Sequence, residues 1–175
     1  MAKFSVNVKS TADEFAKIQK ALQFIADTAV YVGIPQSDTM REDDNEVTNA
    51  QLLFIHSNGS PAKNIPPRPV IEPAIKKDRD RLAKMMEKAA HCAFDGNVDK
   101  SLQQLKLTGM RGQDVSRAWF YDPENGWQPD KPSTIKAKKA KHKNVKGYDP
   151  RTLIDTSQLK NSITYFVKTK GGRAK

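Results

Sequence analysis

Apolar residues along this chain recur with two periods, and the changes between them mark its elements. Phe4, Val6 and Val8 alternate with polar neighbours, which predicts a short half-buried strand. Thr11 with Glu14 has the form of a capping box. Behind it Phe15, Ile18, Leu22 and Ile25 recur at three- and four-residue steps, predicting an amphipathic helix of about four turns. The β-branched run from Thr28 predicts a strand that stops at Gly33 and Pro35. Leu52, Leu53 and Ile55 predict a second helix from Val47 to about His56. Helical spacing returns from about Pro69 to Phe94 through Ile71, Ile75, Leu82, Met85, Ala89 and Ala93. It resumes through Val98, Leu102 and Leu105 toward Trp119, a stretch that Gly109 and Gly112 should loosen. Near the end, Ile163, Tyr165 and Val167 share one strand face, and Thr164, Phe166 and Lys168 share the other.

Between these elements the pattern lapses. Residues 35–46 form an acidic stretch without apolar periodicity, expected as a surface loop. Residues 57–69 hold four prolines and one glycine, and each proline fixes its own φ while pushing its predecessor toward extended backbone. A stiff extended arm follows from that. Residues 131–150 are basic with hardly an apolar anchor, and read as a flexible segment. Taken together, the elements predict an α+β fold: one domain over residues 1–175, with a small, mostly antiparallel sheet packed by long helices. The proline-rich arm and the basic loop are its appendages.

Charge sharpens this picture. The net charge is +10, but residues 1–60 sum to −3 and residues 61–130 to +2, whereas residues 131–175 carry 13 basic and 2 acidic residues. A basic tail quarter on a nearly neutral body suggests an acidic protein face or a polyanion as neighbour, or a tail kept for solubility. Cys92 is the single cysteine, so an internal disulfide framework and a cysteine-rich zinc site are excluded. The first residues lack the apolar core of a signal peptide, and no window approaches a membrane span, so the expectation is a protein made in the cytoplasm and kept off membranes.

Candidate chemistry is sparse. His56, His91 and His142 lack metal-ligand spacing with one another and with Cys92, so no metal or cofactor is expected. The segment from Gly109 to Gly112 is too short for a phosphate loop and lacks its Lys-Ser/Thr end. Lys136, Lys138, Lys139, Lys141, Lys143 and Lys146 could neutralise phosphates or meet an acidic partner, but no aromatic residue lies among them to stack on bases. The stretch LIDTSQLKNSITYFV, residues 153–167, superficially offers Asp155 and Ser157 as hydrolytic groups. Its spacing reads instead as a cap: Asp155 at the N-cap, Gln158 three residues on, and Leu159 pinning a short helix to the core. No base or oxyanion donor is visible beside Ser157, so no catalytic residue is assigned.

Several of these pieces, in this order, resemble the virion-morphogenesis proteins of tailed bacteriophages, the tail-completion or head–tail joining (neck) group. They are VYVGIP, NAQLLFIHSNGSP, NIPPRPVIEPAI, GWQPDKPSTIKAKK and LIDTSQLKNSITYFV, spanning about residues 29–167. The most specific are the arm Ile65, Pro66, Pro67, Arg68, Pro69 and the motif Leu153-Ile154-Asp155-Thr156 followed by Leu159, Asn161 and Ser162, with Trp127 and Pro129 between them. The family pattern favours Phe where this chain has Val70, Gly where it has Ser157, and Glu ahead of Gly59 where it has Ser57 and Asn58.

The resemblance implies a non-enzymatic virion component needed for tail maturation and head–tail joining. It further implies a homo-oligomeric ring, six-fold favoured over twelve-fold, that meets tail terminator, tube or head-connector proteins. Genomic DNA crossing the neck channel would be a further, non-specific neighbour. Ile65 to Pro69 and Trp127 are expected at subunit contacts, with Trp127 read equally as the plug of the local core. The alternative is a DNA-binding protein acting through residues 131–175.

Overall fold

A computed structural model describes residues 8–35, 47–170 and 172–174. The elements run α1 (Val8–Ala26), β1 (Ala29–Gly33), α2 (Asn49–Asn58), α3 (Ile71–Lys77), α4 (Arg79–Phe94), α5 (Val98–Ala118), α6 (Pro132–Lys141), α7 (Gln158–Ser162), β2 (Thr164–Thr169) and β3 (Gly172–Ala174). The strands form a sheet in the order β1-β2-β3, with β2 and β3 antiparallel and Lys168 opposite Arg173. The fold is α+β, long helices packing a small sheet. Contacts group the chain, read from sequence as one domain, into two compact units.

The first unit comprises residues up to Tyr31, Asp80–Gly109 and those from Phe166 onward. Its core joins Ala89 of α4, Leu105 of α5 and Val167 of β2, flanked by Phe24, Val30 and Leu102. The buried Ser101 hydroxyl donates to the Ala89 carbonyl at 2.7 Å and so ties α5 to α4 without an unpaired polar group. Tyr31 stacks on Phe166 with ring centroids 4.9 Å apart, an adjacent pair on the sheet.

Helix α1 departs from its expected role. It begins by Val8, so Val8 is helical and Thr11 lies inside the helix; Phe4 and Val6 lie outside the described residues. Among its described side chains Ala21 is buried and Phe24 partly so. The apolar stripe faces outward: Phe15 is 69% exposed and Leu22 54%, and Ile18 and Ile25 are exposed too. Periodicity finds an apolar face but says nothing of what covers it.

The second unit comprises Val32–Arg79 and Met110–Tyr165. Its core gathers Leu53 of α2, Val70, Ala74 of α3, Trp119, Phe120, Leu159 of α7 and Ile163. Within it α5 runs unbroken through Gly112. A Cβ there would meet Val32 Cγ2 at 2.8 Å, so this glycine admits the strand residue to the helix surface and does not loosen the helix. Asp78 breaks the single helix expected over 69–94 into α3 and α4, and Arg111 clamps that break with two 2.7 Å bonds to the Asp78 carboxylate.

Two further segments differ from expectation. The arm is not extended throughout: Pro61–Lys63 make a 3₁₀ turn, Asn64 adopts a left-handed conformation, and Ser60 bridges Ile65 in both directions at 2.8 and 3.0 Å. Residues 66–70 have no regular secondary structure, and Arg68 N–H donates to the His56 carbonyl at 2.6 Å, tying the arm back to α2. The first half of the basic segment is not a loop either. Pro132 starts α6, its missing N–H costing nothing at a first turn, and the helix holds through Lys141.

Candidate functional site

The second unit carries a cavity of about 540 Å³ that three remote stretches of sequence build together. Its walls come from α2 (Leu52, His56), the arm (Ile65, Pro66, Arg68), the loop after Trp127 (Gln128 to Lys131), α6 (Lys138, Lys141) and the segment from Leu153 to Leu159.

Local chemistry sets each wall. Thr48 caps α2 with a full capping box: its hydroxyl accepts from Gln51 N–H, and the Gln51 side chain returns to Thr48 N–H. At the other end Gly59 sits at φ +74 and ψ 177, and a Cβ there would lie 2.9 Å from both Ile65 O and Pro67 N. The arm can pass this close only over a glycine. Trp127 holds the arm from the other side, its indole N–H donating to Pro69 O at 3.0 Å while its ring packs edge-on to Phe120 at 5.6 Å. Of the two readings of Trp127, subunit contact or plug of the local core, the packing matches the second, with the ring half-buried against its own core.

A buried ion network forms the floor. Arg68 is 8% exposed and donates to Gln128 O through Nε and Nη2, with Nη2 also 3.2 Å from Asp130 Oδ1. Lys138 Nζ meets Asp130 Oδ2 at 2.7 Å and the Arg151 carbonyl at 2.7 Å. Nearby, Asp155 accepts from Lys141 at 2.5 Å and pairs with His142 at 2.8 Å. These contacts explain why α6 folds with so few apolar residues: charge pairs and a His142–Tyr148 stack at 4.4 Å replace an apolar face. Of the six lysines, Lys138 is drawn inward and Lys141 stays exposed while pairing with Asp155, whereas Lys136, Lys139, Lys143 and Lys146 are exposed with no ion pair among the described residues.

Titration follows from this geometry. Burial first, then the Arg68 charge, holds the His56 pKa below its ordinary value, with Asp130 pulling the other way and Lys138 adding the least. Its Nδ1 is buried with no hydrogen-bond partner. Burial alone would raise the Asp155 pKa, but hydrogen bonds from Lys141 and His142 outweigh it and hold the carboxyl below the usual range.

The cap expected at residues 155–158 is different in detail. Residues 152–154 form a turn, not a strand, and Ser157, not Asp155, occupies the N-cap position of α7, with φ +62 and no side-chain capping bond. Gln158 opens the helix, Leu159 is buried in the core as expected, and Thr156 and Ser157 line the cavity. Ser162 accepts from Asn49 of α2 at 2.9 Å and donates to Gln158 O. The Asn161 and Ile163 carbonyls accept from Arg117 at 2.8 and 2.9 Å. These bonds closing the end of α7 are the structural work of the motif.

His56, Asn49 and Asp130 are site residues that spacing does not reveal, because groups remote in sequence, such as Ser162 for Asn49 and Arg68 for Asp130, surround them. The capping box of Thr48 and Gln51 is legible as T-x-x-Q, ahead of the apolar cluster of α2. Among the described residues no three His, Cys, Asp or Glu side chains are grouped to hold a metal ion, and no helix is long and apolar enough to cross a membrane. Compared with known proteins, the chain matches no family model, no curated protein and no solved structure.

Proposed function

We propose that this protein is a non-enzymatic structural subunit of a tailed-phage virion, acting at the head-proximal end of the tail in tail completion and head–tail joining. The observation that carries the reading is convergence. The three stretches that resemble the family most closely, around Ile65 to Arg68, Gln128 to Pro129 and Leu153 to Leu159, line one cavity in one unit. Residues that are remote in sequence yet share one surface suit a docking site. Their two charged groups are engaged, Arg68 by the Gln128 carbonyl and Asp130, and Asp155 by Lys141 and His142. The outward stripe of Phe15, Ile18, Leu22 and Ile25 adds support, since an apolar face of this kind marks a contact with another protein. In a closed ring each subunit presents two different patches, and the stripe and the cavity supply two.

The test is genetic and structural. Phage lacking the protein should accumulate heads and tails that fail to join into infectious particles, and fully infectious particles made without it would reject the role. A second reading, non-specific DNA binding through residues 131–175, is favoured by the exposed Lys136, Lys139, Lys143 and Lys146. A salt-titrated duplex-binding assay decides it: affinity should fall steeply with salt if phosphates are neutralised, and no binding at low ionic strength removes the reading.

A further inference from the structure

The cavity has a surplus of hydrogen-bond donors and of positive charge. Five cationic side chains line it, Lys63, Arg68, Lys131, Lys138 and Lys141, against the two carboxylates of Asp130 and Asp155. Both carboxylates are already taken, Asp130 by Arg68 and Lys138, and Asp155 by Lys141 and His142. What remains is donor capacity. Arg68 uses Nε and Nη2 but makes no hydrogen bond through Nη1 among the described residues. Lys63 and Lys131 are exposed without ion pairs among the described residues, while of the buried lining groups Asn49 Oδ1, an acceptor, and His56 Nδ1, whose role depends on the tautomer, lack a hydrogen-bond partner. Beside these groups stand Leu52, Ile65, Pro66, Leu153 and Leu159, so the cavity offers apolar wall as well as charge. A bare ion would leave that wall unused; a peptide bearing carboxylates would use both.

We propose that this cavity binds an acidic peptide segment, and that its occupant is the stretch from Asp38 to Glu46 of a second copy of this chain. The argument for that occupant is complementarity of sequence and site. The stretch carries Asp38, Glu42, Asp43, Asp44 and Glu46 against Arg41 alone, a net −4. It is the densest run of acid in the chain, and the cavity lining has the opposite sign. Supplied by the neighbouring subunit, it makes a head-to-tail contact of the kind that closes a ring. The inference rests on the assembly reading above, and deepens it by naming what the cavity holds.

Fluorescence anisotropy of the full-length protein with a labelled peptide of residues 36–47 tests it. Binding should weaken with added salt, and should weaken about tenfold or more when Lys63→Ser and Lys131→Ser are combined, since both side chains are exposed and outside the core. A peptide with Asn and Gln in place of the acids should not bind. Equal binding of acidic and neutral peptides, or no loss in the double variant, would overturn the proposal. So would equal competition by inorganic phosphate or a DNA duplex, which would make the cavity a general polyanion site. A monomer that takes up peptide only after its own acids are neutralised would show occupation within one chain, and would also overturn it. Peptide binding in a protein dispensable for particle joining would reject the virion role alone. A joining defect without peptide binding would reject this inference alone.

Discussion

Gly59→Ala is the sharpest single perturbation of the arm. The added Cβ would lie 2.9 Å from Ile65 O and 2.9 Å from Pro67 N, both backbone atoms, so no side-chain rotation relieves it. The residue would also sit at φ +74 and ψ 177, a region held almost only by glycine, at about 1–3 kcal/mol. Overpacking against fixed atoms adds about 1–3 kcal/mol, so the loss should fall between about 2 and 6 kcal/mol. Gly147→Ala is the control in the same unit, because Gly147 has φ +76 with nothing within 4 Å of its would-be Cβ. It should cost about 1–2 kcal/mol, the conformational part alone. Both tryptophans, Trp119 and Trp127, belong to this unit, so urea unfolding followed by tryptophan fluorescence reports on it directly. The expected result is a Gly59→Ala midpoint well below that of Gly147→Ala with similar slopes. Equal midpoints would refute the claim that the close passage of the arm over Gly59 holds this structure.

Three other measurements bear on the same unit. Ser157→Gly should leave the fold intact and raise its stability by up to about 1 kcal/mol, because a left-handed serine with no capping bond is replaced by the residue that favours that backbone; a clear loss would mean Ser157 makes a bond that matters. Trp127→Phe keeps most of the ring contact with Phe120 but deletes the bond to Pro69 O, and should cost about 1 kcal/mol in the same urea assay, whereas no change would show that the indole N–H does not hold the arm. His56 has a folded pKa below its unfolded value near 6.5, so on acidification the unfolded chain takes up the proton first. Stability should therefore hold above that value, fall as pH drops through it, and level off below the depressed folded pKa. In His56→Phe the fall between pH 7.5 and 5.5 should shrink, and an unchanged slope would remove His56 as its source.

Periodicity and turn chemistry in the chain alone determined most of the elements and the α+β class. β-branched runs made β1 and β2, apolar spacing made the helices, and of the face shared by Ile163, Tyr165 and Val167 the first and last are fully buried in the structure. These are local consequences of backbone geometry, which is why they are legible without partners. Three features were decided only by tertiary structure. The α1 stripe has the right period but faces outward, because spacing defines a face and not its neighbour. Residues 132–141 of the basic segment fold as a helix whose Lys138 and Lys141 are accepted by Asp130 and Asp155, which lie outside its two ends. The cavity exists because Gly59 lets the arm turn back over α2 while Trp127 grips Pro69, contacts that join residues 6 to 58 positions apart. Distance along the chain carries no information about such meetings; close packing around one glycine and one indole does.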